Sequence, residues 1–178
     1  TSAYTLSLHD ALPIFNNAIQ STAMVCSNRW KYAAEVEFDL DNNIGPVPCY
    51  LAEFNQVILN LIVNAADAIE SINGEGGEKG HILVTTRKVS DEVEITVQDN
   101  GGGMPESVKA KIFDPFFTTK EVGKGTGQGL SISHDVIVNK HGGSLECTVQ
   151  EGVGTTFTIR IPLKEFSENL EDRSVEAA

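Results

Sequence analysis

Amide, carboxylate and hydroxyl side chains recur at intervals of four and three residues along one apolar segment of this 178-residue chain. They are Gln56, Asn60, Asn64, Asp67 and Ser71. On a helix these intervals place all five on one stripe. A solvent-facing stripe is the ordinary explanation, but such stripes usually carry Lys and Glu rather than Asn. An amide oxygen such as that of Asn64 can bind Mg²⁺, which prefers oxygen ligands.

A first glycine-rich segment, residues 99–104 (DNGGGM), comes directly after a predicted strand. Its three successive glycines allow the backbone to approach a ligand closely. The carboxylate of Asp99, at the end of the strand, can accept a hydrogen bond from an exocyclic amine. A simple glycine-rich turn explains the segment equally well when it is considered alone.

A second glycine-rich segment, residues 123–130 (GKGTGQGL), opens a predicted helix. The first N–H groups of a helix have no partner within it and can bind anions, so this segment predicts a phosphate site. Its spacing matches neither a P-loop nor a dinucleotide-binding fingerprint.

An aromatic cluster lies between the two glycine-rich segments, at residues 113–120 (FDPFFTTK). A loop of about twenty residues is long for a compact domain, and such loops often act as lids. We therefore predict a lid from which Lys120 or Lys124 reaches terminal phosphates. The alternative is a small hydrophobic cluster that only fixes the loop.

The apolar periodicities predict the elements that must position these groups. Helices are predicted over residues 15–28, 51–72 and 129–140, and strands over 35–40, 81–89, 93–97, 144–149 and 155–161. This order predicts an α/β two-layer sandwich, with helices on one face of a mixed, mostly antiparallel sheet. A single domain is expected over residues 15–164. It is preceded by a non-native or disordered leader (1–14) and followed by an acidic flexible tail (165–178).

Charge and composition exclude several classes of protein. The net charge of −12 argues against binding to nucleic acid or to an anionic membrane. The three cysteines have no spacing typical of disulfide frameworks or zinc sites. No apolar run reaches the roughly 20 residues that span a bilayer. A cytoplasmic location is therefore expected, although a longer parent protein could be membrane-anchored.

Five motifs together resemble the N, G1, F, G2 and G3 boxes of sensor histidine kinases, in the GHKL superfamily of ATP-binding domains. In chain order they read NLIVNAADA, DNGGGM, FDPFFTTK, GKGTGQGL and GVGTTF, and the similarity covers residues 15–163. The resemblance implies a Bergerat-type ATP-binding fold with ATP and Mg²⁺ as cofactors. It makes Asn64 the Mg²⁺ and phosphate ligand and Asp99 the acceptor from the adenine amine.

The resemblance also implies roles for further residues. Those expected to bind ATP are Asn64, Asp67, Asp99, Gly101, Gly103, Met104, Phe113, Lys124, Gly125, Thr126, Gly127, Gly129, Leu130, Thr155 and Thr156. Those expected to be catalytic are Asn60, Asn64 and Lys120. Phe113, Phe116 and Phe117 would anchor the lid, and Gly154 with Thr155 and Thr156 would support the adenine floor. Gln128 departs from the commoner Leu, which puts lid packing in question.

The residue at position 60 favours a kinase over a hydrolase. Hydrolysing relatives of the family typically carry a glutamate one turn before the Mg²⁺-binding asparagine, whereas an amide cannot take a proton from water. The expected reaction is transfer of the ATP γ-phosphoryl group to a histidine on an absent dimerisation domain. A response regulator is the expected next partner, and the parent is expected to be a homodimer.

Two other functions stay open. One is an ATP-dependent regulator that binds a protein, of the anti-sigma or chaperone-like kind, and the other is a serine-directed kinase. His9 is a poor candidate for the phosphoacceptor, because too few residues separate it from the first helix. His81, His134 and His141 are expected to be structural.

Overall fold

The computed structural model of the chain describes residues 12–123 and 125–163. Most of the predicted leader with His9, the loop residue Lys124 and the predicted acidic tail lie outside the described residues. The helices are α1 (Leu12–Val25), α2 (Ser27–Trp30), α3 (Leu51–Asn73), α4 (Glu106–Lys109) and α5 (Gly129–Asp135), and α5 continues into a π-helical turn, Val136–Lys140. The strands are β1 (Ala34–Leu40), β2 (Gly80–Val89), β3 (Glu92–Asp99), β4 (Ser144–Gln150) and β5 (Gly154–Pro162).

The five strands of the described residues form one mixed sheet in the order β1-β2-β3-β5-β4. β1 and β2 are parallel because α3 crosses over between them, and the other neighbours are antiparallel. Two hairpins, β2–β3 and β4–β5, supply the antiparallel pairs. The predicted mixed, mostly antiparallel sheet is confirmed.

The helices cover one face of this sheet, and α3 is the central one. Its apolar face is buried over its whole length by Phe54, Val57, Ile58, Leu61, Ile62, Ala65, Ala66 and Ile69. The ring of Phe54 stacks on that of Phe15 from α1, with 4.7 Å between the ring centroids. Polar side chains occupy the opposite face of the sheet, for example the hydrogen-bonded pair Thr85 and Thr96. The predicted two-layer sandwich is confirmed.

The first and third helices differ from their predicted form. α1 begins at Leu12, within the segment predicted as leader, and the helical region is interrupted at Cys26 before α2 continues to Trp30. The C-terminal half of the third helix is π-helical, since the His141 N–H donates to the Val136 carbonyl five residues earlier.

His141 is buried at this helix end, and its ring makes two further contacts. Nδ1 lies 2.8 Å from the Val136 carbonyl oxygen, and Nε2 accepts a hydrogen bond from the backbone N–H of Tyr50. His141 thus joins the π-helical turn to the start of α3. In the described part of the chain no helix is long and apolar enough to cross a membrane.

Candidate functional site

The polar stripe of α3 contacts the sheet end, the lid and α5 at successive turns. Asn60 touches the start of α5, Asn64 and Asp67 touch the lid, and Ala68 touches the loop after β3. At 1.5 Å per residue, Asn60 and Ala68 are separated by about 12 Å along the helix axis. The helix therefore places the predicted site residues in order along one line.

Asp99 is a buried carboxylate at the end of β3. One of its oxygens accepts the backbone N–H of Gly101 at 2.9 Å, and the backbone N–H of Thr155 also donates to the carboxylate. Burial raises the pKa of Asp99 above its ordinary value of 3.8, and these two N–H groups oppose that rise. The carboxylate is thus held in a fixed orientation and only partly compensated, as suits an acceptor for an amine.

Two glycines around Asp99 are required by close backbone approach. A Cβ atom on Gly154 would lie 2.0 Å from the Asp99 carbonyl oxygen. Gly101 packs on α3, where a Cβ atom would lie 3.1 Å from the Cβ atom of Ala68. Thr155 is buried beside Asp99, opposite it in the β3–β5 register. The structure therefore brings the predicted base-binding residues together at one end of α3.

Gly103 and Met104 continue this end of the site. Gly103 has a φ of 67°, in the left-handed region, and a Cβ atom there would lie 2.7 Å from the Gln150 carbonyl oxygen. Met104 is half-buried and packs against the hydrophobic core. Thr156, predicted to support the adenine floor, is half-buried on β5.

Asn60 holds α5 against α3. Its Nδ2 atom donates to the Gly129 carbonyl at 3.2 Å and to the Ser133 hydroxyl at 3.3 Å. Its Oδ1 atom lies 3.4 Å from Nε2 of Gln56, which donates to it. Both ends of the amide are therefore engaged by the protein itself. Asn60 therefore fixes the position of α5 relative to α3, and its predicted catalytic role stays a prediction.

The lid reaches α3 through Lys120. Its Nζ atom lies 3.4 Å from Oδ1 of Asn64 and 2.5 Å from Oδ2 of Asp67. The other oxygen of Asp67 lies 3.7 Å from Nη2 of Arg29 on α2. Asp67, predicted as a nucleotide contact, thus lies between two cationic groups of the protein. Sequence reasoning missed Arg29, since no local pattern connects it to α3.

Aromatic side chains fix the base of the lid. The Phe113 ring lies 5.0 Å from that of His134 and 6.5 Å from that of Phe157, and Phe117 packs against the core. Phe116 does not anchor the lid, because 72% of it is exposed. Its backbone is left-handed, with a φ of 66°, and Gly127 packs directly against that backbone. The prediction for Phe116 was therefore wrong.

The second glycine-rich segment lies beside the lid cation. A Cβ atom on Gly125 would lie 3.0 Å from the Lys120 side chain, and the Thr126 hydroxyl accepts the N–H of Gln128. Leu130, on the first turn of α5, packs against the core. The chain thus runs from the lid through Gly125 and Gly127 to Gly129, the α5 residue whose carbonyl Asn60 contacts.

Two cavities in the described structure lie elsewhere. One of about 350 Å³ is lined by Glu70 near the end of α3 and by the loop that follows, including Gly74 and Glu78. The other, of about 230 Å³, lies between α1 and β1. Neither is lined by a predicted site residue, so the assignment of the site rests on the contacts along α3.

The chain is similar in sequence to known proteins of one family. The family model of the histidine kinase-, DNA gyrase B-, and HSP90-like ATPases matches residues 51–165. Sensor kinase CckA of Brucella abortus is 39% identical over 158 residues, which are 80% of this chain and 16% of CckA. The chain spans 14 to 23% of the length of the first three curated relatives it matches.

Solved structures of histidine kinases are also similar. The catalytic domain of histidine kinase ThkA, in a nucleotide-free form, superposes with a TM-score of 0.70 at 32% identity, covering 84% of this chain and 95% of that domain. ThkA in complex with response regulator protein TrrA gives a TM-score of 0.65 at 31% identity, covering 84% of this chain and 40% of the kinase chain.

These matches confirm the resemblance carried by the five sequence motifs. The family model covers more than half of the chain, and nearly all of the ThkA catalytic domain is matched. The chain therefore belongs to the histidine kinase-, DNA gyrase B- and HSP90-like ATPases and, within them, to the ATP-binding catalytic domains of sensor histidine kinases.

Proposed function

We propose that this domain binds ATP with Mg²⁺ along α3 and transfers the γ-phosphoryl group to a histidine on a helical dimerisation domain of a longer, homodimeric protein. The observation that carries the proposal is the order of groups along α3. A buried amine acceptor lies at one end, an amide oxygen beside a lid cation lies in the middle, and a glycine-rich helix start lies at the other.

At the base end, Asp99 accepts a hydrogen bond from the exocyclic amine of adenine. Its orientation is set by the N–H groups of Gly101 and Thr155 before the nucleotide arrives. A hydrogen bond to a charged acceptor contributes about 1.5–3 kcal/mol, so Asp99 is a major source of base affinity. A base with a carbonyl at this place would leave the buried carboxylate unpaired and is disfavoured.

At the phosphate end, Asn64 is the Mg²⁺ ligand. Its Oδ1 atom lies 3.4 Å from the ammonium group of Lys120. The oxygen therefore faces a position that already holds a positive charge. An amide oxygen also has the hard-donor chemistry that Mg²⁺ prefers. Held there, Mg²⁺ would supply positive charge that offsets the negative charge of the phosphates during transfer. Lys120 and the backbone N–H groups of residues 125–129 orient the same phosphates.

Phosphoryl transfer is favoured over hydrolysis by the position of Asn60. Its amide is hydrogen-bonded to α5 and cannot accept a proton from water. The nucleophile then comes from another domain. The complex of ThkA with response regulator TrrA supports the further proposal that the phosphoryl group passes from the histidine to a response regulator. ATP and such a regulator are both available in the cytoplasm, where we place the domain.

Isothermal titration with a non-hydrolysable ATP analogue and Mg²⁺ tests the nucleotide site. We expect one binding site in the wild-type chain and a loss of at least about tenfold in affinity for Asn64→Ala and for Asp99→Ala. Asp39→Asn, on the far strand β1, is a matched control that leaves binding unchanged. Undiminished affinity in both site variants would refute the assignment.

A mixing experiment tests the acceptor. The domain is incubated with Mg²⁺-ATP and a histidine-containing dimerisation domain from a related kinase. Phosphate that is labile in acid and absent after substitution of that histidine supports the proposed reaction. Acid-stable phosphate on the partner would indicate a serine-directed kinase. Nucleotide binding without any transfer would instead indicate an ATP-dependent regulator that binds a protein partner.

A further inference from the structure

One carboxylate on α3, that of Asp67, links three separate parts of the chain. Oδ2 accepts from the ammonium group of Lys120 in the lid at 2.5 Å, and Oδ1 lies 3.7 Å from the guanidinium of Arg29 on α2. The Asp67 side chain is 23% exposed, whereas Lys120 and Arg29 are 34% and 61% exposed. The carboxylate is thus the least solvated of the three charges.

Asp67 is poorly suited to contact phosphate itself. It lies on the same stripe as Asn64, one turn further along α3, and the Lys120 ammonium group touches both side chains. A carboxylate this close to a polyphosphate repels it, and the repulsion is larger where water is partly excluded. A second negative charge also competes with phosphate for the single ammonium group of Lys120.

We propose that Asp67 is a positioning residue that holds Lys120 against α3 while the site is free, and that Arg29 makes its release possible. When phosphates enter, Lys120 moves from Asp67 to the phosphates. Arg29 then neutralises the carboxylate that is left behind. Arg29 acts through Asp67 and touches no nucleotide. This inference rests on the proposed nucleotide site, since it names the protein contact with which the phosphates compete.

The proposal predicts that removal of the Asp67 charge increases the affinity for the ATP analogue. Asp67→Asn removes the charge that competes for Lys120, so the affinity for the ATP analogue should rise by about two- to five-fold, the range expected for one partly exposed ion pair. Adenosine, which lacks phosphates, should bind both proteins equally. Arg29→Gln should weaken the ATP analogue by about two-fold in the wild-type background and have no effect beside Asp67→Asn.

The test is a titration of four proteins with the ATP analogue and with adenosine. The four proteins are wild type, Asp67→Asn, Arg29→Gln and the double variant. Asp39→Asn is the matched control, because it also removes a carboxylate that pairs with an arginine, Arg87, but does so on the strands β1 and β2. If Asp67→Asn leaves the affinity for the ATP analogue unchanged or lowers it, the proposal is wrong. Equal loss from Arg29→Gln with and without the Asp67 charge would show that Arg29 contacts phosphate directly and would also overturn it.

Hydrogen exchange supplies a readout that does not need nucleotide. Without ligand, lid amides over residues 118–123 should exchange faster in Asp67→Asn than in wild type, because the lid has lost its contact with α3. Unchanged exchange would contradict the holding role. If instead the wild-type chain binds no ATP analogue at all, the proposed nucleotide site itself has failed, and that result is distinct from failure of the Asp67 contact.

Discussion

At the scale of single residues, burial converts an ordinary aspartate into a recognition group. Asp99 is 5% exposed, and its carboxylate accepts the backbone N–H groups of Gly101 and Thr155. Its raised pKa means that ionisation is harder in the folded chain than in the unfolded one. The buried carboxylate therefore lowers the stability of the folded domain when no ligand is bound, as functional sites often do.

The variant Asp99→Asn should separate the stability cost of the buried carboxylate from its contribution to nucleotide binding. A group with a raised folded-state pKa contributes stability below its unfolded pKa of 3.8 and loses it as pH rises through the folded value. The variant should therefore gain stability relative to wild type as the pH rises above about 3.8, while its affinity for the ATP analogue falls by about tenfold or more. Urea unfolding of both proteins across this range measures the first effect. A stability difference that does not change with pH would contradict it.

At the scale of elements, α3 and α5 are joined by side-chain to backbone bonds that local sequence does not reveal. Asn60 donates to Gly129 and Ser133 on α5, and His141 accepts from the N–H of Tyr50 before α3. The segment from the start of α5 to the end of its π-helical turn is thus joined at both ends to the N-terminal half of α3. The glycine-rich segment is positioned by this packing, because it leads directly into α5.

Asn60→Asp should loosen this joint. A carboxylate cannot donate to the Gly129 carbonyl, so we expect a loss of about 1–3 kcal/mol in the free energy of unfolding. Binding of the ATP analogue should weaken more than binding of adenosine, since the phosphate end depends on α5.

Asn17→Asp makes the same chemical change at an exposed position of α1 and should stay within about 0.5 kcal/mol of wild type. Urea unfolding and calorimetry check both variants. If Asn60→Asp is as stable as this control, Asn60 does not hold the helices together.

At the scale of the whole molecule, the proposed ligand would contact most of the fold at once. The end of β3, the stripe of α3, the lid and the start of α5 all contribute. A ligand that binds only the folded state stabilises it by about 2.7 kcal/mol when present at a hundred times its dissociation constant.

For a domain of this size such stabilisation corresponds to a rise in Tm of about 5–10 °C. We expect this rise in a thermal melt with the ATP analogue and Mg²⁺, as one cooperative transition. Adenosine should give a smaller shift, and Asn64→Ala should abolish most of the dependence on Mg²⁺. A wild-type Tm that does not respond to the analogue would contradict the proposed function.

The sequence alone determined the elements and the order of the motifs. Apolar periodicity located α3 to within a residue, from 51–72 to the observed Leu51–Asn73, and alternating residues located the strands. The amide stripe and the two glycine-rich segments were recognisable because their spacing is local. The family followed from these motifs and is confirmed by the matches.

Only the tertiary structure decided which groups meet. It joined Arg29 and Lys120 on Asp67, engaged the Asn60 amide with α5 and turned Phe116 outward. It also decided that the third helix ends in a π-helical turn, which the periodicity did not predict. Helical and strand periods report how a residue lies within its own element. Contacts between residues far apart in the chain depend instead on how elements pack, which one-dimensional spacing does not encode.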